Sequence, residues 1–272
     1  MTQFNRKYIV TVDTIEITML DLSFTVTKTL EREPNTCDLT IYNLNPEHRK
    51  QLSMVKGGPA VKVEAGYADD CGVLFLGQLE EVYSHKEGSD WITELHSGDA
   101  ASKLAKARTN RSYNAGTEVG KIIGDTIKDM GVGIGNSLKA LMSGDLLGAK
   151  NKFANAVTLS GPSTHALDRM LSSVGKEWSI QDGQIQVMDK RAFIEGTAVL
   201  LNADTGMIGS PTIGNDGVLK VKALLNHKIV PGRKLMIESA EIKKSGYRVE
   251  RVEYTGETYG QAWYVDIEAK AY

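Results

Sequence analysis

Pro59-Ala60-Val61-Lys62-Val63, Leu79-Glu80-Glu81-Val82 and Gly88-Ser89-Asp90-Trp91-Ile92-Thr93-Glu94-Leu95 return later in the chain, in the same order. Their counterparts are Pro231-Gly232-Arg233-Lys234-Leu235, Val249-Glu250-Arg251-Val252 and Gly260-Gln261-Ala262-Trp263-Tyr264-Val265-Asp266-Ile267. The two sets occupy equal lengths of chain, and both alternate apolar with polar residues, the period of a strand with one buried face. Upstream, Leu39-Thr40-Ile41 running to Leu44-Asn45 has a counterpart in Leu219-Lys220-Val221 running to Leu225-Asn226. Short alternating patterns recur by chance, which is the competing account. A true echo predicts two similar antiparallel β-barrels with a helical segment inserted between them.

Working outward, Tyr8, Val10 and Val12, then Ile15, Ile17 and Met19, then Leu22, Phe24 and Val26 read as a meander of strands. Pro46 to Met54 has the pattern of a short helix, and a hairpin runs from Val73 to His96 through Lys86-Glu87-Gly88. From Asp99 the period becomes helical. Ala100 to Ala107 is a first short helix. Thr117 is placed as the N-cap of a second, with Val119, Ile122, Ile123, Ile127 and Met130 on one face and a stop at Gly131. A third follows Asn136 with Leu138, Leu141, Met142, Leu146, Ala149, Phe153 and Val157. A fourth opens at Gly161-Pro162-Ser163 and carries Ala166, Leu167, Met170, Leu171 and Val174. Strands resume at Trp178-Ser179-Ile180 and Ile185-Gln186-Val187, joined through Asp182-Gly183, a hairpin signal. The expectation is a mainly β, α+β chain: a first barrel at 1–98, a helical insertion at 99–175 and a second barrel at 176–272.

The chain has 272 residues, 41% of them hydrophobic and 24% charged, which suits a folded protein whose core needs no metal or disulfide. The longest stretch without Asp, Glu, Lys or Arg, Phe153 to Leu167, contains His165, Asn155 and Pro162, so no stable membrane insertion is expected. Met1-Thr2-Gln3-Phe4 leads straight into an alternating run without the pattern of a signal peptide, which points to assembly in a cytoplasm. Cys37 and Cys71 are expected as buried free thiols. Net charge is −2, distributed as −6 over residues 1–98, +4 over 99–175 and 0 over 176–272. Either this is scatter, or the basic middle meets an acidic surface on a neighbouring copy.

Catalysis needs groups that converge. Ser163, His165 and Asp168 are triad residue types, but they lie within two turns of one helix, where side chains fan apart; Ser163 reads as an N-cap. His48, His85, His96, His165 and His227 show no metal-ligand spacing, and neither cysteine lies in a C-x-x-C pair. Gly131-Val132-Gly133-Ile134-Gly135 follows a helix instead of a strand and lacks a closing Gly-Lys-Ser/Thr, so it reads as a helix C-cap and flexible turn. Glu80 and Glu81 point to opposite faces of a strand, and Glu31 with Glu33 precedes Pro34 in a polar loop, so neither pair flanks a glycosidic bond. Lys103, Lys106, Arg108 and Arg111 lack interleaved aromatics and fit a subunit contact at least as well as phosphate. No catalytic, cofactor or metal residues are assigned, and no sequence-specific nucleic-acid partner is expected.

Thr205-Gly206-Met207-Ile208-Gly209-Ser210-Pro211, Gly217-Val218-Leu219-Lys220-Val221, Leu224-Leu225-Asn226, Pro231-Gly232 and Gly260 with Trp263 follow one another in an order that resembles the tail (baseplate) hub proteins of tailed bacteriophages and related contractile injection systems. Ile41-Tyr42-Asn43-Leu44, Gly66-Tyr67, Phe75-Leu76-Gly77 and Trp178 to Gly183 extend the likeness over nearly the whole chain. The resemblance implies a non-enzymatic ring subunit of the virion tail or baseplate, assembled in the host bacterial cytoplasm. It further implies a homotrimer with two tail-tube-like barrels per chain, a pseudo-six-fold ring joining the tail tube protein to a spike or tail-tip protein among other baseplate subunits. The rival reading is a host-surface carbohydrate- or receptor-binding tail module. That module would expose an aromatic platform, whereas Trp91, Trp178 and Trp263 are all expected in the core.

Overall fold

The computed structural model describes residues 5–54, 58–135, 152–190, 192–194 and 196–271. In chain order come β1 (Arg6–Val12), β2 (Ile15–Ile17), β3 (Leu22–Thr29), β4 (Thr36–Tyr42), α1 (Pro46–Met54), β5 (Ala60–Tyr67), β6 (Asp70–Glu87) and β7 (Asp90–Gly98). Next are α2 (Ala101–Lys106), β8 (Arg108–Tyr113), α3 (Val119–Met130), β9 (Gly133–Ile134), β10 (Val157–Pro162), α4 (Ser163–Ser173), β11 (Lys176–Gln181) and β12 (Gln184–Asp189). The chain closes with β13 (Val199–Leu201), β14 (Met207–Ile213), β15 (Val218–Leu224), β16 (Lys234–Ile237), β17 (Ser245–Glu257) and β18 (Trp263–Ala271). The protein is mainly β, as its period-2 patterns require.

Two compact units result. One comprises Met1–Leu30, Asn35–Asp99 and Glu195–Tyr272; the other comprises Glu31–Pro34 and Ala100–Ile194. The expected boundary at 175 therefore moves to 194, because the β11–β12 hairpin packs Trp178, Ile180, Ile185 and Val187 into the core of the inserted unit.

In the first unit, thirteen strands form one sheet in the order β14-β15-β18-β17-β3-β4-β7-β6-β5-β1-β2, with β16 bonded to β17 and β13 to β16. Every pairing is antiparallel except β13 with β16. Two separate barrels were expected, but no barrel closes among the described residues. The reason lies in β3, which bonds to β4 on one side and to β17 on the other, so the opening and closing thirds merge. The expected opening meander is corrected for the same reason: β2 bonds to β1 alone, and Met19, read as a core residue, is 89% exposed in the bend before β3. Where the alternation is regular it does fix the faces. Leu22, Phe24 and Val26 of β3, and Val10 and Val12 of β1, are all buried in one core.

In the second unit, Ile122, Ile123 and Ile127 of α3 pack with Leu167 and Leu171 of α4 as their helical spacing predicts. The caps differ from expectation. Thr117 gives its hydroxyl hydrogen to the Asn114 carbonyl, and Glu118 occupies the cap of α3 without a side-chain bond. Ser163 is the first residue of α4 and not its cap; its hydroxyl is buried with no hydrogen-bond partner among the described residues. Gly131 does cap α3 in the left-handed region, at φ 66°, but Gly133–Ile134 form a strand beside β12 instead of a flexible turn. Asp182 and Gly183 both take positive φ, the geometry their hairpin demands. Most of the expected third helix lies outside the described residues, and its last member, Val157, begins β10.

Both cysteines are free; Cys37 is buried and Cys71 half-buried. Burial pushes both thiols up, Cys37 far above the range of a reactive thiolate. A thiol reagent at neutral pH is therefore expected to modify Cys71 slowly and Cys37 only on unfolding. Titration of the native protein with a colorimetric disulfide checks this, and rapid modification of both thiols would contradict it.

Candidate functional site

The residues of the sequence echo come together as matched strand sets in the first unit. β4-β7-β6-β5 are neighbours in that order, and so are β15-β18-β17-β16. The agreement extends to register. Leu39 faces Leu95 as Val221 faces Ile267. The Asn43 N–H donates to the Trp91 carbonyl at 2.7 Å, and the Leu225 N–H donates to the Trp263 carbonyl at 3.2 Å.

A β-bulge recurs as well. The ladder slips between Leu79/Ser97 and Glu81/His96, leaving Glu80 as the extra residue; it slips again between Val249/Ala269 and Arg251/Glu268, leaving Glu250. Bulges re-aim and twist a strand locally, and here the same bulge falls on the same residue type in both sets. The structure also adjusts the sequence matching. The Leu79 N–H donates to the Pro59 carbonyl at 2.9 Å and the Val249 N–H to the Arg233 carbonyl at 3.0 Å. Pro59 thus corresponds to Arg233, two residues from its sequence match Pro231, and Leu39 to Val221, two residues from Leu219.

The sets meet at a seam. β3 runs against β17 from Ser23/Glu257 to Thr29/Arg251. Beyond the ladder, the Leu30 N–H donates to the Glu250 carbonyl and the Thr258 N–H to the Leu22 carbonyl. Gly256 lies under the Phe24 ring, which meets the Trp263 ring edge-on at 5.5 Å. Trp263 donates its indole N–H to the Gly66 carbonyl at 3.1 Å, tying the β5–β6 hairpin to the second set.

Besides the short strands β2 and β13, two longer stretches of the sheet lack a strand neighbour on one side among the described residues. β5 accompanies β6 only as far as Gln78, and from Glu80 to Glu87 β6 bonds to β7 alone. Helix α1 packs beside β6 but gives it no strand. β14 bonds only to β15, with a bulge between Ile208 and Thr212. Exposed apolar side chains collect on these edges: Tyr83 at 60%, Ile208 at 40% and Ile213 at 55%. Tyr83 stacks on His85 at 5.3 Å, and the His85 Nδ1 is buried without a hydrogen-bond partner. Periodicity gave no sign of these residues, because an edge strand and a central strand share the same alternation.

The groups weighed for chemistry are dispersed. Asp168 accepts from the Trp178 indole at 2.6 Å and pairs with Arg32 at 2.8 Å. Arg111 grips Asp129 with two hydrogen bonds and holds that carboxyl below its ordinary range. Arg108 caps the carbonyls of Ala105 and Ala107. His96 is raised by its hydrogen bond to Asp38, whereas burial lowers His227. Among the described residues, no cluster of three or more His, Cys, Asp or Glu could hold a metal ion. No described helix is long and apolar enough to cross a membrane. One cleft of about 750 Å³ is lined by residues 196–200 with Asp204, Thr205, Asn226, Lys228 and Arg233. Its Lys228 is already bonded to Asp70 at 2.7 Å.

Trp178 and Trp263 are buried as expected, but Trp91 is 37% exposed. Its face carries the Arg49 guanidinium at 4.0 Å.

The large antiparallel sheet of the first unit is the architecture of a phage tail-type fold. The chain belongs to the baseplate hub gp41 family, whose model matches residues 8–269. In fold it is similar to the 43 kDa tail protein of prophage MuSo2 from Shewanella oneidensis: TM-score 0.70 at 9% identity, covering 98% of each chain. The tail protein from Neisseria meningitidis MC58 gives a TM-score of 0.65 at 10% identity, covering 98% of this chain and 97% of that one. The c3393 protein of E. coli, a component of the type VI secretion system with structural similarity to the T4 tail proteins gp27 and gp5, gives 0.62 at 12% identity, covering 97% and 76%. No curated protein matches the chain in sequence.

Proposed function

We propose that this protein is a non-enzymatic hub of the tail baseplate, a trimeric ring with pseudo-six-fold symmetry that connects the tail tube to the central spike or tail tip. The observation that carries the reading is the recurrence of one strand order and one glutamate bulge in the two halves of a single sheet. A ring of three chains with six similar positions requires two equivalent modules per chain, and the matching strand order of β4–β7 and β15–β18 supports that reading. Tail-tube-like modules need not close on themselves, because their strand edges can pair with neighbours. The family and the tail and secretion-system proteins of like fold support partners drawn from tail tube, spike and other baseplate subunits and a place in the virion tail; assembly in the host cytoplasm is part of the same proposal. A host-surface recognition module gains little from the three tryptophans, since Trp178 and Trp263 are buried and Arg49 occupies the face of the partly exposed Trp91.

Native mass measurement tests this. Purified protein at high concentration, or mixed with tail-tube and spike components, is expected to form particles of about three chains. A strictly monomeric protein that ignores both components would overturn the proposal.

A further inference from the structure

The seam between β3 and β17 is a template for a contact that the isolated chain leaves unmade. By the strand correspondence, β6 takes the place of β17, with Glu81–Glu87 equivalent to Arg251–Glu257. β14 takes the place of β3, because it bonds to β15 as β3 bonds to β4. In the second set the edge of β17 is covered by β3. In the first set the equivalent edge of β6 is open, and β14, the equivalent of β3, lies at the far end of the same sheet.

We infer that β14 of one copy pairs antiparallel with the Glu81–Glu87 edge of β6 in the next copy, reproducing between chains the seam that β3 and β17 make within one. The inference rests on the ring reading and names the joint that would close it. Transferring the register is direct. Leu22/Ile41 corresponds to Met207/Ala223, and Val26/Cys37 corresponds to Ile213/Leu219. Ser23/Glu257 then becomes Ile208 against Glu87, Thr25/Thr255 becomes Thr212 against His85, and Val26/Tyr254 becomes Ile213 against Ser84. Pro211 and the bulge around it break the new ladder into two short runs, so side-chain burial must carry part of the contact.

Side chains on both edges support the occupant. Val252, beside β3, is fully buried, while its equivalent Val82 is only partly so. Val26 is fully buried at the internal seam, whereas its equivalent Ile213 is 55% exposed. Tyr83, Ile208 and Ile213 add exposed apolar surface to edges that also carry Glu81, Lys86 and Glu87. The contact joins different patches of two copies, so it is head-to-tail and generates a ring when the rotation closes.

Cysteine pairs test it in the full chain, with Cys71→Ser removing the accessible thiol. Thr212→Cys and His85→Cys proteins, mixed and mildly oxidised, are expected to give a disulfide-linked dimer and nothing larger. Either variant alone is expected to give none, and one chain carrying both changes to give linked species up to the ring. Ile213→Asp, at an exposed site, is expected to weaken association roughly tenfold or more by burying a charge, with a melting temperature within about 2 °C of the parent. Dimers from a single variant alone would overturn the head-to-tail joint. So would three-chain particles that neither cross-link in the mixture nor respond to Ile213→Asp, an outcome that leaves the ring itself standing. Monomers without cross-links, at high concentration and with tube and spike components present, would overturn both.

Discussion

Trp263→Ala is expected to destabilise the first unit by about 3–5 kcal/mol, whereas Trp91→Ala at the equivalent position costs about 1 kcal/mol. The two tryptophans sit at matching points of matching strands, each with its carbonyl accepting from the residue that follows the neighbouring strand. Their surroundings differ. Trp263 is 3% exposed, wedged edge-on against Phe24, and bonded through its indole N–H to the Gly66 carbonyl. Removing it opens a cavity in a core that cannot collapse around it, and strips a buried carbonyl of its donor. Trp91 loses mainly its contact with Arg49, a cation–π interaction at a partly solvated site. Urea unfolding reads the difference, and a drop in melting temperature on the order of 10 °C is expected for Trp263→Ala. Equal losses at the two sites would refute this account.

Gly256→Ala is expected to cost about 2–3 kcal/mol through overpacking. A Cβ built there would stand 2.2 Å from the Phe24 ring. That ring is itself buried and held against Trp263, so it cannot swing away without leaving the core. The clash is with a side chain, which gives a specific check. Phe24→Leu alone should be destabilising, but combined with Gly256→Ala it should recover part of the loss, giving a coupling of about 1 kcal/mol or more in a double-mutant cycle. Simple additivity would mean that the glycine is needed for some reason other than room for Phe24. Because Gly256 lies where β3 joins β17, this variant also measures how much stability the seam provides.

Leu22, Phe24 and Val26 show both the reach and the limit of the sequence. Their alternation places them in a strand with one buried face, and they are buried. Nothing in that pattern indicates that the strand bonds to β17, more than two hundred residues away. Backbone hydrogen bonds are nearly blind to side-chain identity, so periodicity identifies a face but not a neighbour. The candidate assembly edges stayed hidden for the same reason: β14 and the far half of β6 look like any other strands until the sheet is assembled and they remain uncovered.

By itself the sequence determined the alternating strands β1 to β7 with β11 and β12, the helical faces of α3 and α4, the Asp182-Gly183 hairpin and the echo between opening and closing thirds, all of which depend on contacts within a few residues or on repetition; β8, β9 and β10 fell in the stretch read as helical. Only the tertiary structure decided that the two sets share one sheet, that β11 and β12 belong to the inserted unit, that Trp91 is partly exposed where Trp263 is buried, and which edges stay open. Those outcomes depend on competition among distant strands for the same backbone groups. The geometry of the whole sheet resolves that competition, and no local stretch of residues encodes the result.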